Sequence, residues 1–116
     1  MTDWTHGYIA EIDYTYGYYR ELSPALLNYA LMLRGFQPPS LDAGFRYCEL
    51  GFGQGVSANL LAATHPQGSF EGTDFNPRHA SGAVGLSQAA GLKNTAWYDD
   101  SFEEFLERDT EPFDYI

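Results

Sequence analysis

The stretch Cys48–Leu61, "CELGFGQGVSANLL", sets an acid, Glu49, two residues before the first of three alternating glycines, Gly51, Gly53 and Gly55. Glycine weakens helices and strands alike, so such a cluster marks a backbone conformation or a close approach that a side chain would block. Before it, "FRYCEL" from Phe45 reads as a buried strand; after it, Val56 to about Thr64 reads as a helix. A strand, a glycine turn and a helix open a βαβ unit. The turn falls at the carboxyl end of the strand, where open α/β sheets bind ligands.

The alternation continues downstream. "GSFEGTDF" reads as a second strand ending near Asp74, and "NPRHASGAVGLSQAAGL" as a helix capped by Asn76, with Pro77 at its first position and Gly91 as its stop. Gly82 and Gly85 weaken the middle of that helix by about 1 kcal/mol each relative to Ala. "NTAWYDD" is a third strand, "SFEEFLER" a helix opened by a Ser101–Glu104 capping box, and "PFDYI" the start of a fourth strand. Upstream, "SPALLNYALMLRGF" reads as a helix with Ser23 as N-cap, Pro24 in the first turn and Gly35 past its end; the Pro-rich "QPPSLDAG" follows. The pattern predicts two parts: residues 1–40, an aromatic arm and helix, and residues 41–116, right-handed βαβ units on a parallel sheet.

Composition narrows the function. The chain has 116 residues, 44% hydrophobic and 16% aromatic, which argues against disorder. Six Lys plus Arg stand against sixteen Asp plus Glu, a net charge of −10 with no basic run, so a phosphate backbone or an anionic membrane is a poor partner. The start lacks the basic-then-apolar order of a secretory signal, and no apolar run approaches the roughly 20 residues that span a bilayer. The single Cys48 fits a reducing, cytoplasmic setting and reads as a buried, inert thiol. His6, His65 and His79 show no metal-ligand spacing, and no metal is expected.

Three ligands compete for the glycine turn. A P-loop needs a glycine five places after its first and then a Lys; Val56 takes the glycine position and no Lys follows. A dinucleotide fingerprint, G-x-G-x-x-G, fails at its third glycine, and Glu49 would face an anionic pyrophosphate at short range. A cationic, ribose-bearing ligand without phosphate suits the residues better. Asp74, nineteen residues beyond Gly55, has the spacing at which an acid takes a ribose hydroxyl pair, and a carboxylate can accept from both. Asp99 or Asp100, at the end of the third strand, could accept from an exocyclic amine. Each feature has a plainer reading: a tight turn, an Asx cap at Asp74, loop solvation at Asp99 and Asp100. Their joint order at three successive strand ends favours the ligand.

"YCELGFGQG" resembles the first motif of class I S-adenosylmethionine-dependent methyltransferases; "GTDFNPRHA" resembles their second motif, "YDDSFEEFL" their third strand and turn, and "FDYI" the start of their fourth. The resemblance covers about residues 45 to 116. It implies a Rossmann-like sheet of order 3-2-1-4 with flanking helices, and S-adenosylmethionine as cofactor. Gly51, Gly53 and Gly55 would admit its methionine and ribose portion, with Glu49 under the methionyl part and Asp74 on the ribose hydroxyls. Phe75 would lie against the adenine face, and Asp100 with the Ser101 backbone would read its amine, Asp99 being the alternative. The methyl acceptor, a small molecule or protein rather than nucleic acid, is not identified, nor is any catalytic base.

The arm "IDYTYGYYREL" carries aromatics at period two. Tyr14, Tyr16, Tyr18 and Tyr19 either cover a sheet face or the following helix, or form a lid over the cofactor, since aromatic faces attract a sulfonium as they do other cations. Two rival functions stand beside the methyltransferase: a non-catalytic Rossmann-like interaction module and, with less support, an NAD-dependent oxidoreductase. By the resemblance the core continues for about three more strands. The sequence is therefore read as a fragment truncated after its fourth strand, inactive alone and prone to self-association through the open sheet edge.

Overall fold

The computed structural model describes Thr5, Gly7, residues 15–108 and residues 110–116. Three parallel strands, β1 (Arg46–Leu50), β2 (Ser69–Thr73) and β3 (Thr95–Tyr98), form one sheet in which β2 is central. On the free side of β1, Tyr115 pairs in parallel with Tyr47, and its carbonyl accepts from the Cys48 N–H at 2.9 Å. The sheet order is therefore 3-2-1 with a fourth chain segment beside β1. Three strands thus follow the 3-2-1 part of the order the resemblance implied, while the expected fourth strand is present only as this single bridge at Tyr115.

The helices are α1 (Pro24–Leu33), α2 (Val56–Thr64), α3 (Pro77–Ala89) and α4 (Phe102–Leu106), preceded by a 3-10 turn at Arg20–Leu22. Their ends follow local chemistry. Asn76 accepts from the Arg78 N–H at 3.0 Å, and Ser101 and Glu104 complete the reciprocal capping box. Beyond α1, the Phe36 N–H reaches the Leu31 carbonyl and the Gly35 N–H reaches Met32, both at 3.0 Å. Beyond α3, Leu92 and Gly91 repeat the pattern onto Ser87 and Gln88, so both helices close in Schellman motifs. Ser23 differs from expectation. It holds the N-cap position of α1, but its hydroxyl makes no capping bond.

The core lies between sheet and helices. Phe45, Tyr47, Phe70, Trp97 and Tyr115 pack with Ala58, Leu61, Ala62, Ala80 and Ala83 of α2 and α3, and Leu22 and Leu27 pack onto the same cluster. Buried Asn59 ties three elements together: its amide donates to the Gly55 and Ala83 carbonyls at 2.9 and 3.1 Å and accepts from the Trp97 indole at 3.0 Å. Every polar atom of that side chain is paired, as burial demands. The N-terminal part is fastened by the Tyr47 hydroxyl, which donates to the Leu22 carbonyl at 2.7 Å, and by the Tyr115 hydroxyl, which donates to Asn28 at 2.5 Å. Among the described residues no helix is long and apolar enough to cross a membrane, and no group of three His, Cys, Asp or Glu could hold a metal ion.

Candidate functional site

All three glycines of the turn have positive φ: 81° at Gly51, 62° at Gly53 and 76° at Gly55. Gly55 is constrained twice. A Cβ there would stand 2.5 Å from the Ala83 Cβ, so the left-handed turn also lets α2 approach α3. The turn is fixed to the end of β2 by the Gly51 N–H on the Thr73 carbonyl at 2.7 Å and by the Gly53 N–H on Asp74 Oδ2 at 2.8 Å. Asp74 Oδ1 accepts from the Asn76 N–H at 3.0 Å and lies 3.4 Å from His79 Nδ1. One buried carboxylate thus clamps the glycine turn to the start of α3.

Beside this clamp opens a cleft of about 820 Å³, within the roughly 300–1,000 Å³ typical of small-molecule sites. It is lined by Glu49, the turn from Gly51 to Gly55, Asp74, Phe75, Ser101 and Phe102, and by Thr15, Gly17, Tyr19 and Glu21 from the N-terminal segment. Glu49, Asp74, Glu21 and Glu103 put four carboxylates on its wall, and no Lys or Arg is among the described lining residues. Glu49 Oε2 is buried without a hydrogen-bond partner among the described residues. Burial and then the Asp74 charge push the Glu49 pKa up to about 7. A buried acceptor with no donor is costly, and this one borders the cleft.

The structure brings Glu49, Gly51, Gly53, Gly55, Asp74, Phe75 and Ser101 to one cleft. It does not bring Asp99 or Asp100 into the lining. Arg108 holds the Asp100 carboxylate through two guanidinium nitrogens while stacking 3.6 Å over the Tyr98 ring. The Ser101 N–H is spent on Glu104 at 3.1 Å. Of the tyrosines, Tyr14 lies outside the described residues, and Tyr19 lines the cleft. Tyr16, Tyr18 and Tyr19 are 76%, 50% and 44% exposed. Sequence reasoning missed Gln54, Ser57, His79, Phe102 and Glu103 in the lining. His79 carried a signal, since it stands five residues after Asp74 near the start of a helix; Ser57 and Gln54 carried none beyond adjacency to the glycines.

No family model matches the chain. It is 49% identical over 113 residues to the uncharacterized protein sll1526 of Synechocystis sp. (strain ATCC 27184 / PCC 6803 / Kazusa), a match covering 97% of this chain and 22% of that protein. Among solved structures it is similar to PKMT2 from Rickettsia typhi in complex with AdoHcy, with a TM-score of 0.79, 24% identity, and 88% of this chain covered against 19% of that one. Coclaurine N-methyltransferase bound to N-methylheliamine and SAH superposes with a TM-score of 0.52 and 14% identity over 97% of this chain and 31% of that one. The fold is that of class I S-adenosylmethionine-dependent methyltransferases. The chain spans about a fifth of the length of sll1526 and of PKMT2.

Proposed function

We propose that the cleft binds S-adenosylmethionine and that the chain is the cofactor-binding portion of a methyltransferase. The observation that carries this reading is the orphaned Glu49 oxygen in a cleft lined by four carboxylates and by no described Lys or Arg. A ligand with an ammonium and a sulfonium supplies the donor and positive charge that such a wall lacks; a pyrophosphate would add negative charge to it.

The residues present fit the cofactor. Glu49 would accept from its ammonium. Asp74 has about four lone-pair sites; the Gly53 and Asn76 N–H groups use two and His79 Nδ1 lies 3.4 Å from Oδ1, which leaves an acceptor for a ribose hydroxyl. Phe75 and Phe102 supply an apolar wall for the adenine plane. With Asp100 held by Arg108, the adenine amine is left without the partner the resemblance implied unless that pair opens. When bound, the cofactor supplies a methyl group already activated on sulfur, so the protein's task is alignment and exclusion of water. With a net charge of −10 and no basic run, these 116 residues favour a small-molecule or protein acceptor over nucleic acid.

The test is calorimetric titration of the chain with S-adenosylmethionine, AdoHcy and NAD side by side. Saturable binding of the first two and none of NAD is expected. Binding of NAD overturns the reading in favour of an oxidoreductase, and silence toward both sulfur ligands overturns it in favour of a non-catalytic module.

A further inference from the structure

The geometry points to Ser57 as the residue that positions the tyrosine-bearing strap over the cleft and thereby sets how long a ligand stays. Ser57 is the second residue of α2, two residues beyond Gly55 of the glycine turn, and it is buried. Its hydroxyl accepts from the Tyr19 N–H at 2.8 Å and donates to the Gly17 carbonyl at 3.2 Å. A single side chain therefore satisfies two peptide groups of residues 15–19, a segment with no helix or strand of its own. Thr15, Gly17, Tyr19 and Glu21 all reach the cleft wall. The far end of the strap is fixed separately, where the Tyr47 hydroxyl takes the Leu22 carbonyl. Between that anchor and Gly17 the strap is held against α2 by the Ser57 hydroxyl at both Gly17 and Tyr19. Because α2 begins at the turn, the strap is referenced to the same backbone that would cradle the ligand.

This role rests on the cofactor reading for its effect on ligand, but the attachment itself can be tested without one. Ser57→Ala removes the hydroxyl at a helical position that Ala favours, and Ser57→Thr keeps it. In the ligand-free chain, hydrogen exchange at the Tyr19 amide should accelerate about five- to tenfold in Ser57→Ala, the loss of one or two net hydrogen bonds. Ser57→Thr should stay near wild type. The Asn59 amide, bonded to the Gly55 carbonyl at 3.0 Å within α2, should stay protected in all three proteins. Stopped-flow kinetics with AdoHcy should show dissociation faster by a similar factor in Ser57→Ala, with association nearly unchanged. Wild-type exchange at Tyr19 in folded Ser57→Ala overturns the attachment, and unchanged dissociation beside accelerated exchange overturns its role in retention. Failure of the wild-type chain to bind AdoHcy while Tyr19 exchange responds to Ser57→Ala overturns the cofactor reading and the retention role with it.

Discussion

Glu49 combines a carboxyl oxygen unpaired among the described residues with a pKa pushed up to about 7, chiefly by burial. An unfolded chain releases that proton near 4.5, so between about 4.5 and 7 the folded state binds more protons than the unfolded one. The stability that the neutral carboxyl preserves is fully present below 4.5 and is lost as pH rises through about 7, by on the order of 3 kcal/mol in all. Glu49→Gln cannot titrate. Its stability advantage over wild type, from urea denaturation, should be small at pH 5 and largest at pH 8; a difference independent of pH shows that Glu49 ionises as freely folded as unfolded. Binding should follow the opposite sense, because an ammonium favours the ionised acid. AdoHcy affinity should rise through pH 6–8 in wild type, with proton release in calorimetry, and stay flat in Glu49→Gln. Asp74 carries a different load. Asp74→Ala leaves the buried Gly53 and Asn76 N–H groups without their acceptors, at a cost of about 2–4 kcal/mol of stability. In protein that remains folded, AdoHcy binding should weaken by about 1.5–3 kcal/mol, the range for hydrogen bonds to a charged group. Unchanged affinity confines Asp74 to clamping the turn.

At the scale of elements, the contact between α2 and α3 depends on the absence of a side chain at Gly55. Gly55→Ala places a methyl 2.5 Å from the Ala83 Cβ at a φ of 76°, and the strain and overpacking together should cost about 2–4 kcal/mol in thermal or urea unfolding. Gly85→Ala is the control. No atom lies within 4 Å of its added methyl in the middle of α3, and stability should rise by about 0.5–1 kcal/mol. These two glycines also show what the sequence could reveal. Gly55 announced itself because turns, caps and stops are local: the glycine cluster, Asn76 before Pro77, Ser101 with Glu104, and Gly35 and Gly91 all act within a few residues of themselves. The parallel order followed from the strand–helix alternation for the same reason. Contacts that join distant segments were not legible. Nothing local tells Ser57 that Gly17 and Tyr19 will lie beside it, or Asp100 that Arg108 will fold back over Tyr98 onto it. The titration of Glu49 was hidden as well, since burial belongs to the assembled fold rather than to the motif that named the residue.

The 116 residues together carry a net charge of −10, and four carboxylates line the cleft. A field of one sign focused into a concave, partly apolar site raises the local concentration of cations and lowers that of anions. On the proposed cofactor reading, this field distinguishes the two sulfur ligands. S-adenosylmethionine carries a sulfonium beyond the balanced amino-acid charges, whereas AdoHcy has none, so the field attracts the first and is nearly indifferent to the second. Added salt shortens the screening length from about 20 Å near 20 mM to about 6 Å near 300 mM, which reaches groups on the cleft rim before those in its wall. Affinity for S-adenosylmethionine should therefore fall about three- to tenfold across that range, mainly through a slower association rate, while AdoHcy affinity changes less than twofold. Parallel titrations of both ligands at the two salt concentrations check this. Equal salt dependence for the two, or a steeper one for AdoHcy, rules out the sulfonium as the charge that the acidic cleft selects.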